Sequence, residues 1–393
     1  MSREQRLSLG TVLLLLLLWF TYNSGENSAD KAYSNSEYTI AKQLYTQSCQ
    51  DNDAYSCYRL GTMFEEAKGT PKDFFKAKEL YVKGCSGDNI DSCYRLGRMY
   101  ENGRGVRIDF EKAASVYIDA CQDGQMQACQ RAATLSYQNK DYKDAEKLYS
   151  KACNSDHARA CSDLGYMYAE ALGVNRDRLK AASLYTKSCK LGAPIGCFNI
   201  GLVYENELGK STDYDKAMEY YQKACSDKYA GACNNIGLMY DIGRGVTKNG
   251  TEALRYYKKA CDLGSHRGCY NQALVYSNGK YIERNSTKQM ALFKRACSLG
   301  NAKSCFNIGY YYAKGKRLAK SLSKAQKYYT KACNLDSQSG CLNLGLMYYH
   351  AQGVSVDLPK AEKLFGKACD LGSSSGCTNY AILYKRRRDK IKK

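Results

Sequence analysis

Twenty cysteines fall into ten pairs whose members always stand eight positions apart: Cys49/Cys57, Cys85/Cys93, Cys121/Cys129, Cys153/Cys161, Cys189/Cys197, Cys225/Cys233, Cys261/Cys269, Cys297/Cys305, Cys333/Cys341 and Cys369/Cys377. Successive pairs begin 36 residues apart, with one step of 32 between Cys121 and Cys153, and no cysteine is left over. A fixed period of this length marks a tandem array in which each unit is one supersecondary element stacked on its neighbours. Residues i and i+8 of one straight helix lie ~12 Å apart along its axis, whereas a disulfide holds its Cα atoms within about 7 Å. Each pair can close only if the chain turns back between its members.

The flanks say where it turns. Four residues before each first cysteine stands an aromatic, from Tyr45 to Phe365, and eight before it stands alanine, except for Gln289. That spacing follows one face of a helix. Twelve before it come Asp73, Asp109, Asp141, Asp177, Asp213, Asn249, Asn285, Ser321 and Asp357, side chains that accept from the first free amides of a helix, with Glu37 departing in the first copy. A helix A is therefore predicted from that cap to the first cysteine. Three residues beyond the cysteine, Gly, Asn or Asp supplies the left-handed residue that stops it, and Lys228 alone breaks the rule. A helix B then opens near the second cysteine. Four residues further on, only Gly or Ala occurs, from Gly61 to Ala381. Glycine inside a helix costs ~1 kcal/mol against alanine, so its recurrence implies close backbone packing.

The residue before every cysteine is Gly, Ala or Ser, which suits two helix ends in close contact. A rival scheme would join each second cysteine to the next first one, such as Cys57 to Cys85. That spacing varies between copies, whereas the eight-residue one never does. The ten pairs are accordingly expected to be disulfides within hairpins, each contributing roughly 2–3 kcal/mol in the chain-entropy model. Zinc is a poor alternative, because there is no C-x-x-C and only His157, His266 and His350 are present. No cofactor is expected.

The fold class is thus all-α: a right-handed α/α solenoid of about ten disulfide-linked hairpins over residues 37–388. Residues 26–36 read as a polar linker and 389–393 as a basic tail. At the N-terminus, Arg3 and Arg6 precede an apolar run from Thr11 to Phe20, the order of a secretory signal over residues 1–25. An uncleaved anchor is the alternative, and would be the chain's one contact with a membrane. Export, to the periplasm or beyond the cell, supplies the oxidising compartment that disulfides need. The net charge of +20 favours anionic surfaces or partners. Nucleic acid is not expected, since most aromatics occupy repeating core positions.

The unit A-x-x-x-Y-x-K-A-C-x-x-G-x-x-x-x-C-x-x-L-G-x-x-Y-x-x-G resembles the Sel-like tandem repeat, a relative of the tetratricopeptide repeat. Its paired cysteines narrow the resemblance to the Helicobacter cysteine-rich (Hcp) proteins. The resemblance implies exported α/α repeat proteins with one disulfide per hairpin, and adaptors that hold other proteins on a concave face. It also implies a disputed activity as penicillin-binding proteins or weak β-lactamases. Three S-x-x-K matches bear on that: Ser28–Lys31, Ser277–Lys280 and Ser321–Lys324. Neither S-D-N nor K-T-G accompanies them, and Ser321 stands at a helix-cap position, so the catalytic residues of any such enzyme stay unknown. Two sequons, at Asn249 and Asn285, also fall on cap positions. The expectation is a monomeric, rigid scaffold that binds a protein, peptide or anionic cell-wall glycan on its concave face. Hydrolysis of β-lactams is the alternative.

Overall fold

The structure, a computed structural model, describes residues 28–206, 212–279 and 281–391. The expected signal segment lies outside them. Their contacts divide the chain into two compact units, one ending at Leu191 and the other starting at Gly192. The first contains α1 (Tyr38–Gln50), α2 (Ala54–Glu66), α3 (Phe74–Ser86), α4 (Ile90–Asn102), α5 (Phe110–Gln122), α6 (Met126–Gln138), α7 (Tyr142–Asn154), α8 (Ala158–Glu170) and α9 (Arg178–Lys190). The second contains α10 (Pro194–Glu205), α11 (Tyr214–Ser226), α12 (Ala230–Ile242), α13 (Gly250–Asp262), α14 (His266–Asn278), α15 (Ser286–Ser298), α16 (Ala302–Lys314), α17 (Leu322–Asn334), α18 (Gln338–Tyr349), α19 (Leu358–Asp370) and α20 (Ser374–Ile391). Odd-numbered helices are helices A, even-numbered ones helices B. Within each unit every helix packs on the next in the chain. No strand occurs among the described residues.

Each hairpin reverses at a left-handed residue three past its first cysteine. Asn52, Asp88, Asp156 and Asp336 take φ of 59–67° there, and Lys228 does the same at 64° despite its side chain. The reversal brings the two helix ends together. Nine bridges hold Cα atoms 4.5–4.9 Å apart: Cys49–Cys57, Cys85–Cys93, Cys121–Cys129, Cys153–Cys161, Cys225–Cys233, Cys261–Cys269, Cys297–Cys305, Cys333–Cys341 and Cys369–Cys377. Cys189 and Cys197 are oxidised to disulfides as well, and no cysteine is free among the described residues.

Helix B glycines exist to receive the next hairpin. A Cβ on Gly61 would stand 2.7 Å from the Tyr81 ring, on Gly97 2.5 Å from Tyr117, and on Gly237 2.6 Å from Tyr257. Where helix B carries this glycine, the aromatic four residues before the next first cysteine packs against its bare backbone, and most of these rings are fully buried. Lysines complete the joint. Lys83 Nζ donates to the Cys49 carbonyl at 2.6 Å, Lys151 to that of Cys121 at 2.8 Å, and Lys187 to that of Cys153 at 2.8 Å. A cation is favoured there because the last carbonyls of a helix have no intrahelical partner. These lysines join one hairpin to the next through their ammonium groups.

Residues 28–34, inside the stretch expected to be a linker, are helical. Ala29 and Ala32 are buried, and the Asp30 carboxylate accepts from the hydroxyls of Tyr45 and Tyr55. The segment covers the first hairpin as a preceding helix B would.

Candidate functional site

Positions on helix B are counted here from the second cysteine of each pair. Residues −2, +2, +5 and +9 are three or four apart and share one helix face. In the first unit this stripe is knotted into the fold at +2. Arg59 lies 3.3 Å from Asp30, Arg95 3.3 Å from Glu65, and Arg131 3.2 Å from Glu101. The same carboxylates accept from buried tyrosines of helix A: Tyr81 donates to Glu65 at 2.8 Å and Tyr117 to Glu101 at 2.7 Å. Burial, reinforced by the neighbouring carboxylate, pushes both phenols far above their ordinary range. The fourth hairpin replaces the arginine with Asp163, which accepts from Gln130 at 3.0 Å, while Tyr149 meets Thr134 at 3.0 Å. Burial raises the Asp163 carboxyl, against the opposing Gln130 hydrogen bond and Arg159. The first unit's stripe is charged, mixed in sign and largely spent on internal contacts.

The second unit carries a different stripe. At +2 stand Asn199, Asn235, Asn271, Asn307, Asn343 and Asn379, and at +5 Leu202, Leu238, Leu274, Tyr310, Leu346 and Ile382. All six asparagines are half-buried, and each +5 side chain is half-buried or exposed, with Leu238 37% and Ile382 43% exposed. The equivalent +5 residues of the first unit are Thr62, Arg98, Thr134 and Tyr166. Asn271 Nδ2 donates to Asn234 Oδ1 at 2.9 Å, joining the faces of α12 and α14, and Asn343 Nδ2 donates to the Ser339 carbonyl at 2.9 Å. A primary amide offers two donors and an acceptor with two lone pairs, so one such bond leaves capacity for a ligand. The arrangement suits a polypeptide: amides for its backbone, and an apolar row for its side chains. Both rows were legible as 36-residue columns, but a column shows recurrence and not which way its side chains face.

The residues singled out for catalysis or modification have structural employment. Ser321 caps α17, its hydroxyl accepting from the Lys324 amide at 3.4 Å, and Lys324 Nζ lies 5.4 Å above the Tyr312 ring. Ser277 accepts from Arg317 at 3.3 Å; Lys280 lies outside the described residues. Ser28 and Lys31 belong to the helical segment at 28–34. Asn249 accepts from the amides of Thr251 and Glu252, both at 3.1 Å, and Asn285 from that of Lys288 at 2.8 Å. His157 caps α8 through Nδ1, His266 opens α14 and meets Asn301 at 3.2 Å, and His350 packs edge-on against Tyr349. Among the described residues no group of three His, Cys, Asp or Glu could hold a metal ion. No helix among them is long and apolar enough to cross a membrane.

Nine segments match the family model of the Sel1 repeat: residues 54–89, 90–115, 135–157, 158–192, 194–229, 230–265, 266–301, 302–337 and 338–373. Among solved structures, the chain resembles c5321, a protective antigen of uropathogenic Escherichia coli with an SLR fold, at 24% identity. That alignment covers 89% of this chain and 84% of that one, with a TM-score of 0.56. A Sel1 repeat protein from Oxalobacter formigenes is also 24% identical, covering 87% of this chain and 89% of that one at a TM-score of 0.55. Helicobacter pylori cysteine rich protein B is 39% identical over 35% of this chain and 98% of its own, with a TM-score of 0.28. No curated protein matches the chain.

Proposed function

Because this chain belongs to the Sel1 repeat family, we propose that it is a protein-binding scaffold whose contact surface is the helix B stripe of the second unit. One observation carries the reading. Six helices B repeat an asparagine and, three residues on, a large apolar side chain that stays at least partly in water. Burying those side chains against a partner is worth ~25 cal/mol per Å² of apolar area, and the amides beside them fix a backbone in place. Disulfides hold each rung before binding, which lowers the ordering cost of association. They also persist only where thiols are kept oxidised, so we place the protein outside the cytoplasm, secreted or periplasmic.

The test is selection of a displayed random-peptide library on the oxidised full-length chain, followed by affinities for a Leu238→Asp, Leu274→Asp variant. Selected peptides should lose at least about ten-fold in affinity for the variant, with the thermal midpoint held. Peptides that bind both proteins equally would place the contact surface elsewhere.

A further inference from the structure

We infer that the partner segment is acidic and presents an apolar side chain at every third residue; this rests on the second-unit stripe being the contact surface. The charge of the molecule is not shared between its units. Residues 1–191 hold 26 Lys or Arg against 24 Asp or Glu, a net +2, whereas residues 192–393 hold 33 against 15, a net +18.

On the stripe itself the bias is complete. In the second unit position −2 is Ile195, Gly231, Arg267, Lys303, Ser339 or Ser375, and position +9 is Asn206, Ile242, Asn278, Lys314, His350 or Arg386. With the asparagines and apolar residues between them, no Asp or Glu stands on this face, whereas the first unit puts Glu66, Asp91, Asp163 and Glu170 on its own. Arg267, Lys303, Lys314 and Arg386 are exposed. The first three make no ion pair with the described residues, and Arg386 donates to the Tyr349 hydroxyl at 3.0 Å. The carboxylates at +8, adjacent to the stripe along helix B, are already engaged: Glu205 takes the Tyr221 hydroxyl at 2.6 Å and Arg244 at 2.9 Å, and Asp241 takes those of Tyr257 and Tyr281. What faces outward is a row of apolar side chains flanked by four cations and by no carboxylate.

The pairing of the two rows selects the class of partner. A polyanion such as a sulfated glycan satisfies the cations and leaves the leucines wet. A neutral apolar segment buries the leucines and forgoes the field. An acidic segment with spaced apolar residues uses both. The spacing follows from the stacking. Three pairs of successive helices B in the second unit touch, α12 with α14, α16 with α18 and α18 with α20, and contacting helices lie ~8–10 Å apart. An extended chain rising ~3.1–3.3 Å per residue advances by one rung in about three residues.

The experiment measures binding of labelled peptides to the oxidised full-length chain at low salt. The probe has about 15 residues, with Leu at every third position and Glu between. Its controls replace Glu by Gln, replace Leu by Ser, or move Leu to every fourth position, and dextran sulfate serves as a plain polyanion. The probe should bind, and each control should bind at least about ten-fold more weakly. An Arg267→Glu, Lys303→Glu variant should lose the probe to a similar degree, whereas Lys112→Glu in the first unit should not. If the Gln peptide binds as well as the probe, and still depends on Leu238 and Leu274, the acidic partner is overturned while the scaffold stands. If the Ser peptide or dextran sulfate matches the probe, the surface is a general polyanion site and the inference fails. Equal binding of the respaced peptide removes the three-residue register. No binding by any peptide here, with library peptides still lost on Leu238→Asp, Leu274→Asp, also overturns the acidic partner alone.

Discussion

The two units build the same hairpin and dress it differently. Where the first unit places Arg59, Arg95 and Arg131, each tied to a carboxylate, the second places asparagines beside leucines and cations. Positions that join one hairpin to the next are shared: the glycine under the ring, the small residue beside each cysteine, the left-handed turn. Positions facing outward are not, and they change as a block rather than one at a time. A repeat fold allows this because each hairpin needs only its neighbours to be satisfied. The outer face can then be set region by region, without touching the joints.

The largest expected effect tests the shared joint. Gly97→Val and Gly237→Val each drive a side chain into a buried ring, at Tyr117 and Tyr257. Both should cost about 3 kcal/mol, the upper end of overpacking penalties, and by the same amount in either unit. Hydrogen exchange of the flanking helices reads this locally, since a repeat array need not unfold in one step. A mild effect in one unit alone would mean that the joint is not common to both.

Next comes the feature that separates them, the arginine at +2. The tyrosine–carboxylate bond is common to both units, at Tyr117–Glu101 and Tyr221–Glu205, but only in the first does a +2 arginine share the carboxylate. Glu101→Ala leaves the Tyr117 hydroxyl and Arg131 without that acceptor and should destabilise the first unit by about 1–3 kcal/mol. Arg131→Asn, which installs the second unit's residue, should cost less than Glu101→Ala, and Asn235→Asp should leave the second unit's stability nearly unchanged, read by denaturant midpoint. A large loss from Asn235→Asp would undo the contrast between a locked and an open stripe.

Asp163 allows a pH test. Burial raises its carboxyl above the ordinary 3.8, so the folded chain holds the proton more tightly than the unfolded one. Stability is then lost as pH rises from the unfolded value through the raised one. Asp163→Asn keeps an acceptor for Gln130 and removes that loss. The thermal midpoint should rise at neutral pH, and the difference from the parent should vanish once the pH falls below 3.8. A gain that persists in acid would point to packing instead. Smallest of all, Lys228→Gly relieves a left-handed residue at φ 64° and should stabilise its hairpin by about 0.5 kcal/mol, measured by denaturant midpoint.

The hairpin was readable because its constraints are local and repeat. A cysteine spacing that no single helix can bridge, a cap twelve residues earlier and a turn residue three later leave one solution. The joints made by the lysines before the first cysteines were not legible, because their acceptors are carbonyls of the hairpin before, 30 or more residues away. Asp30 was missed for the same reason. Nothing in a polar stretch announces that its carboxylate will sit beneath Tyr45.

By itself, then, the sequence determined the helices, the reversals between them and the family, since each follows from neighbours within a few turns of chain. It also held the asparagine and leucine columns as recurrences without a direction. Tertiary structure decided which columns are joints and which face water. Whether a side chain is consumed by a bond or left to meet a partner depends on what the next hairpin brings alongside it, and the Arg95–Glu65 pair and the exposed Leu238 fall on opposite sides of that line.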